Sequence, residues 1–257
     1  MLRTRIIPVL LLRSGGGLVK TEKFASPKYV GDPTNAVRIF NDKEVDELMI
    51  LDIAASSEGR SPSFDLVERI AGEAFMPVCY GGGVRSVADA RRLLKLGVEK
   101  VALNSAALAR PGLVAEIAAA FGAQCVVGVV DVKKTFWGKY QVHSHARASV
   151  PEPDPVRWAQ RLVREGAGEI LVQAVDRDGT MKGFDLDLLK AFDVGLPVPL
   201  IAAGGARDVQ SMRAALQACR LSALGVGARF VYHGPHRGVL VNYLSPAELE
   251  SLQTVTR

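Results

Sequence analysis

Gly82-Gly83-Val84-Arg85-Ser86-Val87 returns as Gly204-Gly205-Ala206-Arg207-Asp208-Val209, a displacement of 122 residues. Each copy follows a short apolar run, Pro77 to Tyr80 in the first case and Pro199 to Ala203 in the second. The same displacement lays Arg91 on Arg213, Asp32-Pro33 on Asp154-Pro155, and Glu47 on Glu169. One constant offset held over so long a stretch identifies an internal duplication. Asp-Pro is itself a helix-start signal, a capping carboxylate followed by proline at the first helical position. The repeated unit therefore contains helices as well as strands.

Working outward, six more apolar runs complete a series that alternates with amphipathic stretches. They are Arg5 to Leu11, Glu47 to Ile53, Lys100 to Leu103, Cys125 to Asp131, Glu169 to Val175 and Leu221 to Val226. The pattern predicts an α/β chain, a (β/α)8 TIM barrel built of two duplicated (β/α)4 halves, approximately 1–121 and 122–257. A chain of 257 residues suits one such domain. Closure also removes exposed sheet edges.

Composition excludes several classes. The net charge of +5 is spread along helical stretches such as Arg91, Arg92 and Lys95, which reads as a solvated face and not as a nucleic-acid site. No apolar run reaches the roughly 18 residues of a membrane span. Met1 to Arg5 followed by Ile6 to Leu12 has the outline of a signal peptide but no small-residue cleavage site, so a buried strand is expected. Three cysteines in apolar settings (Cys79, Cys125, Cys219) point to a reducing cytoplasm.

Barrels of this kind work at the carboxyl ends of their strands, with phosphate commonly held after the last two. Candidate phosphate-binding residues are Gly82 and Gly83 after the third strand, Asn104 and Ser105 after the fourth, Gly204 and Gly205 after the seventh, and Gly227 after the eighth. Gly179, in Asp176-Arg177-Asp178-Gly179-Thr180, joins them. Glycine lets backbone N–H groups approach an anion; the alternative is a tight turn and nothing more. Strand-end carboxylates are Asp52, Asp131, Asp176 and Asp178, open to acid–base work or to capping and ion pairing. His143 and His145 lack a third ligand in reach, so neither a metal nor a cofactor is expected. At the opposite end, Arg5, Glu47, Lys100 and Glu169 each begin a strand. Alternating charges there must pair to offset desolvation. Such a cluster is either a structural plug or a breakable polar gate on the barrel axis.

These residues carry a resemblance that covers nearly the whole chain. Arg5-Ile6-Ile7-Pro8, Asp46-Glu47-Leu48 with Leu51-Asp52-Ile53, Gly81-Gly82-Gly83, Lys100-Val101 with Asn104, Gly166 to Leu171, and Asp176 to Thr180 resemble the cyclase subunit of imidazole glycerol phosphate synthase. The resemblance implies a glutaminase docked on the amino-terminal face and ammonia passing along the barrel behind a charged gate. That gate would be Arg5, Glu47, Lys100 and Glu169. It also implies two catalytic aspartates, at the ends of the first and fifth strands. The second is Asp131, but the first position holds Leu11, and leucine transfers no proton. Ala203 and Ala228 stand where the family has serine, and His143, Ser144, His145 and Arg147 replace its glycine and threonine contacts.

Gate and barrel kept, cyclase residues altered: the combination is similar to a side branch of the family found with saccharide-biosynthesis proteins. Val9 to Leu12, Lys28 to Pro33 and Arg38 to Leu48 resemble that branch. The expectation is a cytoplasmic subunit that pairs with a glutaminase and channels ammonia to a sugar amidotransferase in surface-polysaccharide (acetamidino sugar) synthesis. The alternatives are a working cyclase-lyase of histidine biosynthesis, or a scaffold that only binds phosphate-containing ligands.

Overall fold

Eight parallel strands close on themselves in the computed structural model, which describes residues 3–144, 149–193 and 195–255. The barrel strands are β1 (Arg5–Leu12), β4 (Leu48–Asp52), β5 (Val78–Gly81), β6 (Lys100–Leu103), β7 (Val126–Lys134), β9 (Glu169–Ala174), β10 (Leu200–Ala203) and β11 (Ala223–Val226). Each pairs with its neighbour in that order, and β11 returns to β1 with Arg5 opposite Ala223. Pro8, which cannot donate to a ladder, sits where β1 changes partner: residues 5–8 face β11 and residues 9–12 face β4.

Around the barrel run α1 (Pro33–Asp42), α2 (Phe64–Glu73), α3 (Val87–Lys95), α4 (Ser105–Ala109), α5 (Gly112–Phe121), α6 (Pro155–Arg164), α7 (Leu186–Phe192), α8 (Val209–Ala218) and α9 (Pro246–Gln253). The repeat-related Asp32 and Asp154 both cap. Asp32 accepts from Asn35 N at 3.0 Å, and Asp154 from Val156 N and Arg157 N at 2.9 and 3.0 Å. Apolar residues form two separate cores. One fills the space between helices and strands and includes the fully buried Trp158 and Phe40; the other lies inside the barrel, from Ile7 and Met49 to Leu11.

Strand positions agree with the pattern read from the sequence, with no end shifted by more than three residues. Glu47 stands one residue before β4 instead of opening it. Asp131 lies inside β7 and not at its end, because β7 runs on to pair antiparallel with β8 (Tyr140–Val142). The stretch after β1 is more than a loop. It forms a hairpin of β2 (Leu18–Glu22) and β3 (Ala25–Gly31), with β2 paired to the end of β1. A small ribbon of β12 (Tyr232–His233) and β13 (Gly238–Val239) follows β11. Among the described residues no helix is long and apolar enough to cross a membrane.

Candidate functional site

At the amino-terminal mouth four side chains close a ring. Arg5 donates to Glu47 at 2.5 Å and reaches Glu169 at 3.1 Å; Lys100 bridges the same two carboxylates at 3.0 and 3.2 Å. Glu47 is almost wholly buried, and its Oε1 has no hydrogen-bond partner among the described residues. Burial works against the Arg5 charge, but the two carboxylates outweigh it and hold the guanidinium above its usual pKa. The four residues named from sequence are therefore brought together. Two cations face two anions, so no net charge is left in the ring.

Above the ring the axis is apolar. Ile7, Met49, Cys79, Val127, Leu171, Ile201 and Ala223 line it, followed by Val9, Leu51, Ala102, Val129 and Ala203. Burial pushes the Cys79 thiol well above its ordinary pKa, so it stays neutral. These layers follow from period-two alternation, which turns Glu47, Met49 and Leu51 inward on one strand and Glu169, Leu171 and Gln173 on another.

The axis opens into a cavity of about 400 Å³ on the carboxyl-terminal face, where Leu11, Asn104, Asp131, Gln173 and Asp178 meet. Asn104 Nδ2 donates to Asp131 Oδ2 at 2.6 Å. Burial raises the Asp131 pKa to about 7; the Asn104 hydrogen bond opposes the rise and Asp178 adds to it. Asp178 is itself raised by burial, against the pull of Lys20, and accepts from Thr21 Oγ1 at 3.1 Å and Gln173 Nε2 at 2.9 Å.

The folded protein thus holds Asp131 protonated up to about pH 7, whereas an unfolded chain releases that proton near pH ~3.9. The stability Asp131 leaves intact at low pH is lost as the pH rises from about 4 to about 7. Asp131→Asn should therefore stabilise the protein at pH 8, by on the order of 4 kcal/mol, and change little at pH 4. Thermal melts at the two pH values check this; an equal shift at both would contradict the raised value.

Paired glycines frame the cavity. Gly82 and Gly83 have φ of 107° and 74°, and Gly204 and Gly205 have 95° and 101°, so successive N–H groups turn in a way L-residues resist. Close packing demands glycine as well: a Cβ at Gly82 would lie 2.3 Å from the Asp52 carbonyl, and one at Gly179 would lie 2.0 Å from that of Thr21. Asn104 and Ser105 stand at the start of α4, and Gly227 lies beside the Lys20 ammonium. The other strand-end carboxylates have structural contacts. Asp52 accepts from Ala54 N and Ala55 N and pairs with Arg60 at 3.4 Å, while Asp176 accepts from Lys134 N at 2.8 Å.

Sequence reasoning missed Lys20. It is buried on β2, its Nζ donates to the Val9 carbonyl, and burial lowers its pKa to about 8 despite Asp178. A lysine within the strand-like run Leu18 to Thr21 was the signal available. His143 lies beside Phe24, with ring centroids 6.5 Å apart, and its backbone N donates to the Asp131 carbonyl at 2.7 Å. Ser144 lines the cavity; His145 and Arg147 lie outside the described residues.

A closed parallel barrel with its polar cavity at the carboxyl ends of the strands belongs to the (β/α)8 class, whose members place their working residues on that face. Comparison with known proteins narrows the class. A family described as histidine biosynthesis protein matches residues 5–236, and the chain belongs to that family. A protein of Pseudomonas aeruginosa, provisionally named as an imidazole glycerol phosphate synthase subunit, is 48% identical over 95% of this chain and 96% of its own length. A Leptospira interrogans protein, provisionally named as subunit HisF of that synthase, is 44% identical over 98% of this chain and 99% of its own. The protein named imidazole glycerol phosphate synthase subunit HisF in Gluconacetobacter diazotrophicus is 42% identical over 91% of this chain and 89% of its own.

Proposed function

We propose that the chain is an ammonia-conducting subunit of a glutamine-dependent sugar amidation system in the cytoplasm. A glutaminase docks on the amino-terminal face. Ammonia enters when the Arg5–Glu47–Lys100–Glu169 ring parts, follows the apolar axis, and leaves by the carboxyl-terminal cavity toward a sugar amidotransferase. An apolar lining suits this traffic, because neutral ammonia avoids the desolvation penalty that holds back ammonium. The paired glycine turns would hold phosphate groups of a ligand at the exit, with the Ala203 and Ala228 side the weaker for its missing hydroxyls.

The observation that carries the reading is Leu11. It is buried and lines the same cavity as Asp131, and the family resemblance implies a second proton-transferring carboxylate at this position, which the chain lacks. One reading competes, that of an imidazole glycerol phosphate synthase cyclase in histidine biosynthesis. It is favoured by the names of the relatives and by Asp131, whose pKa near neutrality suits acid–base work. Turnover of the histidine-pathway ribonucleotide with excess ammonium decides between them. Our reading expects wild type to fall at least about a hundredfold below an ordinary enzyme rate of ~1 s⁻¹. A rate at or above that value would establish the cyclase.

A further inference from the structure

The large exposed hydrophobics of the described surface are unevenly placed. Tyr29, Ile53, Phe136, Trp137, Val239 and Leu240 all lie in segments that follow the carboxyl ends of barrel strands, and Phe75 is the exception. Phe136 and Trp137 are the most exposed, at 95% and 89%, and form the turn between β7 and β8. Their rings meet edge to face with centroids 5.4 Å apart.

Beneath this tip the stem is braced. Asp176 accepts from the Lys134 backbone N at 2.8 Å, and Asp185 accepts from the Tyr140 hydroxyl at 2.6 Å. The Lys134 ammonium lies 3.5 Å from Asp185 and 4.8 Å from the centre of the Tyr140 ring. Thr135 and Lys139 close the turn with a backbone hydrogen bond of 2.8 Å. The two aromatics are thus held out by a stiff stem, with part of the ordering entropy of binding removed in advance. Rigid aromatic anchors of this kind dominate protein interfaces. Charge adds direction: residues 132–151 contain no Asp or Glu. Lys133 and Lys139 are exposed and make no ion pair among the described residues.

We propose that the β7–β8 hairpin, through Phe136 and Trp137, anchors an ammonia-consuming protein whose surface offers an apolar socket ringed by carboxylates. The proposal rests on the delivery reading above and names where the acceptor enzyme sits. A protein fits this face better than a lipid surface does. The cavity opens on the same face, and a partner seated there covers the exit from which ammonia emerges, whereas a bilayer has no group to accept it.

The test measures binding of this chain, complexed with its glutaminase, to a sugar amidotransferase from the same genome, at low and high salt. Phe136→Ala/Trp137→Ala should weaken binding at least about 30-fold. Lys133→Glu/Lys139→Glu should weaken it mainly at low salt, where surface charges are least screened. Both variants should keep the wild-type melting temperature and the wild-type rate of glutamine hydrolysis. Unchanged affinity in the aromatic variant, or no complex with wild type, overturns the proposal. So does wild-type binding to phosphatidylcholine–phosphatidylserine vesicles that the aromatic variant loses, since the tip would then be a lipid anchor. A complex that weakens as expected, yet transfers no glutamine nitrogen, supports the docking and refutes the delivery reading. The two claims therefore fail separately.

Discussion

Lys100→Met is expected to separate glutamine hydrolysis from amidation of the acceptor. With the glutaminase bound and external ammonium low, wild type should form equal amounts of glutamate and amidated product, and the variant several-fold more glutamate than product. Lys100 is the side chain best suited to move. It is a compact charge on a flexible stem, whereas Arg5 grips with a planar fork. It also joins Glu47 to Glu169, at 3.0 and 3.2 Å, so its removal leaves two carboxylates facing one guanidinium in a largely dry mouth. A stability loss of about 3 kcal/mol should accompany the change, the usual consequence of breaking a buried ion pair from one side. The stability loss alone does not separate a gate from a plug; the ratio does. An unchanged ratio beside a clear drop in melting temperature would make the ring a structural plug.

Leu11→Asp is expected to raise turnover of the histidine-pathway ribonucleotide about 10²–10⁴-fold above wild type when excess ammonium is supplied. The substitution places a carboxylate at the top of β1, in the cavity that Asp131 lines from β7. The site is hostile to charge: Leu11 is 9% exposed and packs in the barrel interior with Val9 and Val19. The variant should therefore lose about 2 kcal/mol of stability at neutral pH. Adding Ala203→Ser and Ala228→Ser places two hydroxyls on the adjoining wall, at the ends of β10 and β11 next to β1, and should increase the gain. Wild-type turnover already at an ordinary rate, with no gain in the triple variant, would mean that another group performs the missing proton transfer.

The barrel was legible because its signals are local and repeated. Eight apolar runs, two Asp-Pro helix starts and one constant displacement all point to the same architecture. The charged ring was legible for a related reason: a charge opening a buried strand has nowhere to go except to a partner. The two hairpins were not legible. Lys28-Tyr29-Val30 becomes part of a strand only because β2 is already fixed against β1, and Tyr140 to Val142 only because β7 continues past Asp131. Lys20 was lost with the first hairpin, since a lone lysine becomes informative only once its strand is known to be buried. The braced tip was lost with the second. Asp52 and Asp176 could be read as catalytic or structural until their partners, Arg60 and the Lys134 N–H, were seen.

The most direct measurement of the central claim follows nitrogen. The chain, its glutaminase and the sugar amidotransferase are supplied with glutamine carrying heavy nitrogen in its amide, in a buffer holding excess unlabelled ammonium. Passage along the barrel predicts an amidated sugar enriched in heavy nitrogen far above the bulk pool, with Lys100→Met bringing that enrichment down toward the pool. Product nitrogen matching the bulk pool in wild type, or no amidated sugar while the histidine-pathway ribonucleotide is cyclised at an ordinary rate, would contradict it.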